Sequence, residues 1–202
     1  ILLGTQMVAK GLDFENVTLV GVINADQQLN NDDFRSQERT FDLLTQVVGR
    51  AGRGQYKGTA VIQTCNPEND VIQIAARQDY DAFFKDELKT RKMLIYPPYC
   101  DICLIGFIGE NEPKVRVASQ KYTDRLKEKL NGEYKDLKII ALGPMTARVS
   151  KISNKFRYRL ILKCKNTKRF RALMNELLKY TGTDRAYHDV SVYIDINPEN
   201  II

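Results

Sequence analysis

The chain contains one histidine, four cysteines and six prolines among its 202 residues, and no apolar run approaches the roughly 18 residues that span a bilayer. Each scarcity removes a class of function. A lone His188 cannot build an HExxH zinc site or a histidine-rich metal cage, and a Ser-His-Asp site would have to use it without any GxSxG turn to hold the serine. Cys65, Cys100, Cys103 and Cys164 are too few and too unevenly placed for a disulfide-stapled secreted scaffold, so a reducing cytoplasm is the expected compartment. Neither a GxxxxGKS/T phosphate loop nor a DExH motif occurs, so nothing in the sequence can cradle the β- and γ-phosphates of a nucleotide or hold its Mg²⁺. What remains, with 43% hydrophobic and 28% charged residues, is a globular composition long enough for two modest domains.

The charge is unevenly placed. Residues 1–98 hold 11 basic against 13 acidic side chains, whereas residues 99–202 hold 20 against 12. Within the second part, residues 148–171 carry ten basic residues (Arg148, Lys151, Lys155, Arg157, Arg159, Lys163, Lys165, Lys168, Arg169 and Arg171) and no acid. Such a block suits a phosphate backbone, because each neutralised phosphate releases condensed counterions; the alternative is a solvated basic face.

Periodicity gives the expected organisation. Apolar runs at 1–3, 17–24 and 58–64 have the continuous character of parallel strands covered on both faces. Asp32 or Asp33 is placed to cap a helix over 34–48, with Phe41, Leu44 and Val48 facing a core. Residues 1–66 thus read as part of an α/β sheet too small to stand alone, which makes residue 1 an expected interior position of a longer parent. Residues 67–98 read as a helical connector with Val71, Ile72 and Ala75 on one stripe and Phe83, Phe84 and Leu88 on another, stopped by Tyr96-Pro97-Pro98-Tyr99. Residues 99–202 alternate as strand 102–108, helix 114–130, strand 137–142, a turn at Gly143-Pro144, strand 157–164, helix 168–179 and strand 190–196. That order is βαββαβ, the split βαβ of ferredoxin-like domains, with both helices on one sheet face and the other left open. Alternation turns Arg157, Arg159 and Lys163 onto the open face, opposite Tyr158, Leu160 and Leu162, and exposes Ser191 and Tyr193 on the last strand, a platform for a backbone and a stacked base.

Other residues read as structural. Cys100 and Cys103 lie three apart on a strand with no second CxxC and read as small buried hydrophobes, His188 as a surface-loop histidine, Tyr158 as core and Asn154 as a turn residue.

The sharpest motif is Gln46-Val47-Val48-Gly49-Arg50-Ala51-Gly52-Arg53-Gly54, two arginines three apart and separated by glycine, able to aim two guanidinium forks at one polyphosphate. Upstream, Gly4-Thr5-Gln6-Met7-Val8-Ala9-Lys10-Gly11-Leu12-Asp13-Phe14 follows a strand. Together these resemble the fifth and sixth motifs of superfamily-two helicases. The segment 32–39 running into QVVGRAGR, then Gln63-Thr64-Cys65-Asn66-Pro67, Asp79-Tyr80-Asp81-Ala82-Phe83, the YPPY of 96–99, Gly143-Pro144-Met145-Thr146-Ala147, Lys155-Phe156-Arg157-Tyr158-Arg159 and Asp195-Ile196-Asn197-Pro198 resemble, end to end, the C-terminal part of the primosomal protein N′ (PriA) family of replication-restart DNA helicases.

The resemblance implies the tail of a RecA-like second motor lobe (1–66), a helical connector (67–98) and a C-terminal domain similar to ribosomal protein S-ten (99–202). It implies an ATP-dependent 3′-to-5′ helicase acting on stalled or D-loop forks in the bacterial nucleoid, with ATP and Mg²⁺ bound by the full-length parent and Zn²⁺ held outside this segment. Arg50 and Arg53 take the place of arginine fingers, with Gln46 and Gly49 holding their geometry and Gly11 and Asp13 at the nucleotide. Thr5, Gln6 and Lys10 take the place of single-strand contacts, although Gly11 is followed by Leu12 where the family has a glycine-histidine pair. Lys151, Lys155, Arg157, Arg159 and Lys163 are the expected DNA contacts of the last domain. Lys168, Arg169 and Arg171, beside Phe170, are the expected site for the acidic tail of single-stranded DNA-binding protein. Primosome and helicase-loading proteins are the other implied partners, the segment itself being a monomer with no membrane attachment and no ATPase activity of its own. The alternative is a stand-alone nucleic-acid-binding or partner-docking module in which GRAGRG is only an anion-binding loop.

Overall fold

A computed structural model describes residues 1–5, 17–52 and 55–201. The chain divides into two units, Ile1–Thr90 and Arg91–Ile202.

In the first unit, β1 (Leu19–Val22) pairs in parallel with β2 (Thr59–Ile62), with Leu19 opposite Thr59 and Val22 opposite Ile62. Between them run α1 (Asp26–Leu29) and α2 (Ser36–Val48); after β2 come α3 (Asp70–Ala76) and α4 (Tyr80–Leu94), whose residues from Arg91 on belong to the second unit. The core gathers Ala25, Phe41, Leu44, Val71, Ile72, Ile74, Ala75 and Phe83, with Phe41 and Phe83 stacked 4.2 Å apart. Each large apolar side chain buried here contributes about 2 kcal/mol.

Three expectations are corrected here. Among the described residues β1 and β2 are covered on one face: Val22 and Ile62 pack toward the helices, while Leu19 and Val61 are exposed on the other. α2 begins at Ser36 rather than 34, because Asp33 accepts the Arg35 amide at 2.9 Å and the Ser36 hydroxyl donates to the Asp33 carbonyl, which spends both residues on the preceding turn. The helical stretch after Pro67 is two helices broken at Gln78 (φ 55°), and Phe84 is exposed. Asn69 caps α3 by accepting from Val71 and Ile72, and Asp79 accepts from Ala82 at the start of α4.

The second unit has the order β3 (Asp101–Gly109), α5 (Glu112–Asn131), β4 (Ile140–Ile152), β5 (Lys155–Cys164), α6 (Lys168–Thr183), a 3₁₀ turn (Arg185–Tyr187) and β6 (Ser191–Ile196). The βαββαβ succession is as expected, and the strands form one antiparallel sheet in the order β4-β5-β3-β6. Asn111 caps α5 through the Lys114 amide, and Thr167 caps α6 through the Phe170 amide. Val115, Ala118, Tyr122 and Leu126 from α5, at i, i+3, i+7 and i+11, and Phe170, Leu173, Met174 and Leu177 from α6, at i, i+3, i+4 and i+7, bury against Cys103, Ile105, Phe107, Leu160 and Leu162. Leu178, one position beyond that stripe, is exposed.

The expected short strand and turn at Gly143-Pro144 are corrected as well. β4 continues through both residues to Ile152, absorbing Gly143 (φ 111°) at a register shift between Leu142 and Met145. The second sheet face is also not open throughout, since Ile102, Leu104, Ile161 and Lys163, all on that face, are buried. No helix of the described residues is long and apolar enough to cross a membrane.

Candidate nucleic-acid interface

In the first unit, α2 ends at Val48 and the motif continues as a turn. The amides of Gly49, Arg50 and Ala51 donate back to the carbonyls of Thr45, Val47 and Val48 at 3.0–3.2 Å. Gly52 donates to the Val17 carbonyl at 2.9 Å and sits at φ 78°; a Cβ there would stand 2.6 Å from the Gly58 amide nitrogen, so only glycine fits. The turn fastens the end of α2 beside the start of β1 and carries Arg50, half-buried, between two glycines; Gln46 is exposed on the last turn of the helix and Thr5 is exposed. Gln6, Lys10, Gly11, Asp13 and Arg53 lie outside the described residues. Sequence reasoning missed Asp26, which accepts from the Thr64 hydroxyl at 2.7 Å and the Cys65 amide at 2.8 Å, contacts that hold its carboxyl below the ordinary range and clip the end of β2.

In the second unit the basic residues concentrate on the β4–β5 hairpin. Ser153 (φ 48°) and Asn154 (φ 62°) form its two-residue turn, closing Ile152 onto Lys155. From Thr146 to Lys151 the chain takes five steps along β4 while β5 takes two from Tyr158 to Phe156. The surplus thrusts Arg148, Val149 and Ser150 outward, all exposed. Lys151 and Lys155 are exposed at the tip, with the Lys151 ammonium 4.7 Å from the Phe156 ring centroid, and Arg157 follows half-buried. Val149 and Ile152 are exposed among them. The arm is therefore cationic with an apolar element and has no acid of its own. Arg148 and Val149 were missed as a group because the strand reading stopped at Leu142; the two hydrophobics interleaved with Arg148 and Lys151 were the available signal.

The remaining expected contacts point elsewhere. Lys163 is corrected: it is 9% exposed, its ammonium donates to the Leu94 carbonyl at 2.6 Å and lies 3.6 Å from the Tyr96 ring centroid. Burial holds it below the ordinary lysine value. The guanidinium of Arg159 donates to the Ile201 carbonyl. Arg169 pairs with Asp136 at 2.8 Å, donates to the Glu133 carbonyl and covers the Tyr134 ring; Arg171 reaches Asn166 at 3.4 Å, and Lys168 is exposed. Phe170 is fully buried, so it offers no apolar surface beside these cations.

Tyr158 is half-buried against the core and donates to Glu112 at 3.2 Å. His188 is exposed beside Asp189, 2.9 Å away. Cys103 is buried, its thiol pushed up to about 12, whereas Cys100 precedes the strand, half-exposed, and donates to the Ile95 carbonyl; all four cysteines are free. Among the described residues no group of three or more His, Cys, Asp or Glu is placed to hold a metal ion.

Residues 92–199, which include this hairpin, match the family described as the primosomal protein N C-terminal domain. The chain belongs to that family. It is 40% identical over 198 residues to the replication restart protein PriA of Bacillus subtilis, covering 98% of this chain and 24% of that one. The protein of the same name from Synechocystis is 43% identical over 163 residues, 81% of this chain and 19% of its own length. That from Borreliella burgdorferi is 38% identical over 205 residues, 100% and 29%. The chain thus spans about a quarter of the length of these curated relatives. Among solved structures, a hydantoinase/carbamoylase family amidase from Burkholderia ambifaria overlaps at a TM-score of 0.34 with 15% identity, over 48% of this chain and 27% of that one, too low a likeness to bear on fold or function.

Proposed function

We propose that this chain is the C-terminal part of an ATP-dependent 3′-to-5′ DNA helicase that restarts replication at stalled or D-loop forks, and that its own share of the work is to hold DNA and complete a nucleotide site. The observation that carries this reading is the acid-free β4–β5 arm within a domain of the primosomal protein N family. Arg148, Lys151, Lys155 and Arg157 meet the phosphates, with the sheet order β4-β5-β3-β6 read as a ferredoxin-like platform behind them. Lys163 and Arg159 act inward, the first under Tyr96 and the second on the Ile201 carbonyl.

For the first unit the reading is a remnant of a RecA-like lobe whose Arg50, with Arg53, faces the phosphates of an ATP bound by another lobe. A guanidinium at the γ-phosphate stabilises charge that develops in transfer. The phosphate loop and the Mg²⁺ ligands are not in this sequence, so the chain alone has no ATPase activity; Zn²⁺ belongs to the parent outside it. Thr5, Gln6 and Lys10 serve the DNA. Lys168, exposed in the first turn of α6, is the remaining candidate for an acidic peptide tail such as that of single-stranded DNA-binding protein, alongside primosome and helicase-loading partners in the cytoplasm.

The test is single-strand DNA affinity of the 202-residue chain as a function of salt. Lys151→Glu with Lys155→Glu should weaken binding and flatten the salt slope by roughly 0.7 for each phosphate that is no longer neutralised. Unchanged affinity and slope at low salt overturn the assignment.

A further inference from the structure

Gly106 of β3 stands opposite Tyr193 of β6 on the sheet face away from the helices. A Cβ built on Gly106 would fall 2.1 Å from Cε1 and 2.2 Å from Cζ of the tyrosine, so the ring lies directly on the glycine backbone. One side of the ring is thereby fixed against the sheet, and the residue as a whole is 38% exposed. A ring held in this way costs little further entropy when a second flat group settles on it.

The charges around it give the site a direction. On the far side of Gly106 its partner is Arg159, and Arg157, on the same face of β5, pairs with Ile108, which pairs in turn with Ser191 of β6. With strands about 4.8 Å apart, Arg157 and Tyr193 are separated by two strand spacings and two residues along the sheet. The only acid placed on this face of β6 among the described residues is Asp195, two residues from Tyr193 on the side away from Arg157. A polyanion crossing the face is therefore drawn toward Arg157 and the hairpin arm and repelled from Asp195.

We propose that Tyr193, laid flat on Gly106, is a stacking platform for an unpaired base of single-stranded DNA whose backbone runs along Arg157 and the β4–β5 arm. This rests on the reading that the second unit binds DNA, and it adds what the arm alone does not provide, a contact that requires the base itself. A glycine covered by an aromatic across a strand pair also has a purely structural use, shielding the backbone. The two roles separate by whether the bases of the ligand matter.

The chain contains no tryptophan, so Tyr193→Trp installs a single indole emitter at the platform. The 202-residue chain carrying it is titrated with a single-stranded oligothymidylate and with an abasic strand of the same length and charge. The expected result is quenching by the oligothymidylate and none by the abasic strand. Tyr193→Ala should lower affinity for the oligothymidylate on the order of tenfold, with abasic affinity and salt slope unchanged, and Tyr193→Phe should retain the base preference. Gly106→Ala, which lifts the ring, should behave as Tyr193→Ala does. Should Tyr193→Ala lose its circular dichroism signal, quenching and the Tyr193→Phe titration decide the matter. If both strands bind the parent chain equally and Tyr193→Trp is quenched by neither, the platform is overturned while the salt slope upholds DNA binding; if neither strand binds with salt dependence, both readings fall.

Discussion

The ammonium of Lys163 lies 3.6 Å from the centroid of the Tyr96 ring and donates to the Leu94 carbonyl at 2.6 Å, under the chain that leads into β3. A lysine in the middle of a basic strand is thus turned to an internal task. It fastens the segment before the sheet to the sheet, and burial lowers its proton affinity.

Lys163→Met should leave the salt slope of DNA binding where it is, in contrast to the hairpin pair. The substitution should also change the alkaline limb of stability. With its folded pKa below the unfolded 10.5, the lysine opposes folding most fully below the folded value, and that penalty fades as pH rises toward 10.5. Thermal melts taken as pH rises to 10.5 should therefore show the parent chain gaining on Lys163→Met; a constant difference would deny the buried-cation account.

Tyr122 is fully buried, edge-on to Phe107 at 5.5 Å, and its hydroxyl finds no hydrogen-bond partner among the described residues. Tyr122→Phe keeps the ring contact and removes a hydroxyl that folding strips of water. Denaturant unfolding should show equal or greater stability, by up to about 1 kcal/mol. A loss of that size would reveal a partner for the hydroxyl.

Asp184 is held well below its ordinary carboxyl value by Lys121 at 2.6 Å, by the Tyr180 hydroxyl at 2.6 Å and by the Ala186 amide at 2.9 Å. A carboxylate with a depressed folded pKa contributes stability above its unfolded value near 3.8, and loses it as pH falls toward the folded value. Asp184→Asn should lower the melting temperature at neutral pH and converge with the parent chain in acid. A gap that does not narrow at all as pH falls below about 3.8 would mean the residue acts by shape alone.

Under the proposed arginine-finger role, Arg50→Ala placed in a full-length helicase should cut ATP turnover by roughly 10³ with ATP affinity far less changed, as for a group acting mainly on the transition state. Turnover equal to the parent's would remove the arginine-finger role.

The helices were legible because a 3.6-residue apolar repeat leaves few other places for Val115, Ala118, Tyr122 and Leu126 to go. Alternation in β5 was legible too, but it reports only which face a side chain takes. It does not report what covers that face, and so Lys163 read as a surface cation. β4 departs from the sequence reading for a local reason: Gly143-Pro144 has the composition of a turn, whereas here the two residues form an unpaired bulge after which β4 resumes its pairing with β5. The exposed Leu19 and Val61 show the same limit in the first unit, where two short apolar strands carried no mark of being covered on one side only. Tyr193 was readable as exposed, but that its ring rests on Gly106 depends on a register between β3 and β6 that only the folded sheet sets.

β4 is an outer strand of the four-stranded sheet, and two register shifts and a proline without an N–H interrupt it. The outward row of amides and carbonyls that another chain would need for backbone pairing is broken at the same places. β6, at the opposite margin, is only six residues long. Both margins of this sheet are therefore poor templates for backbone pairing with a second copy of the chain.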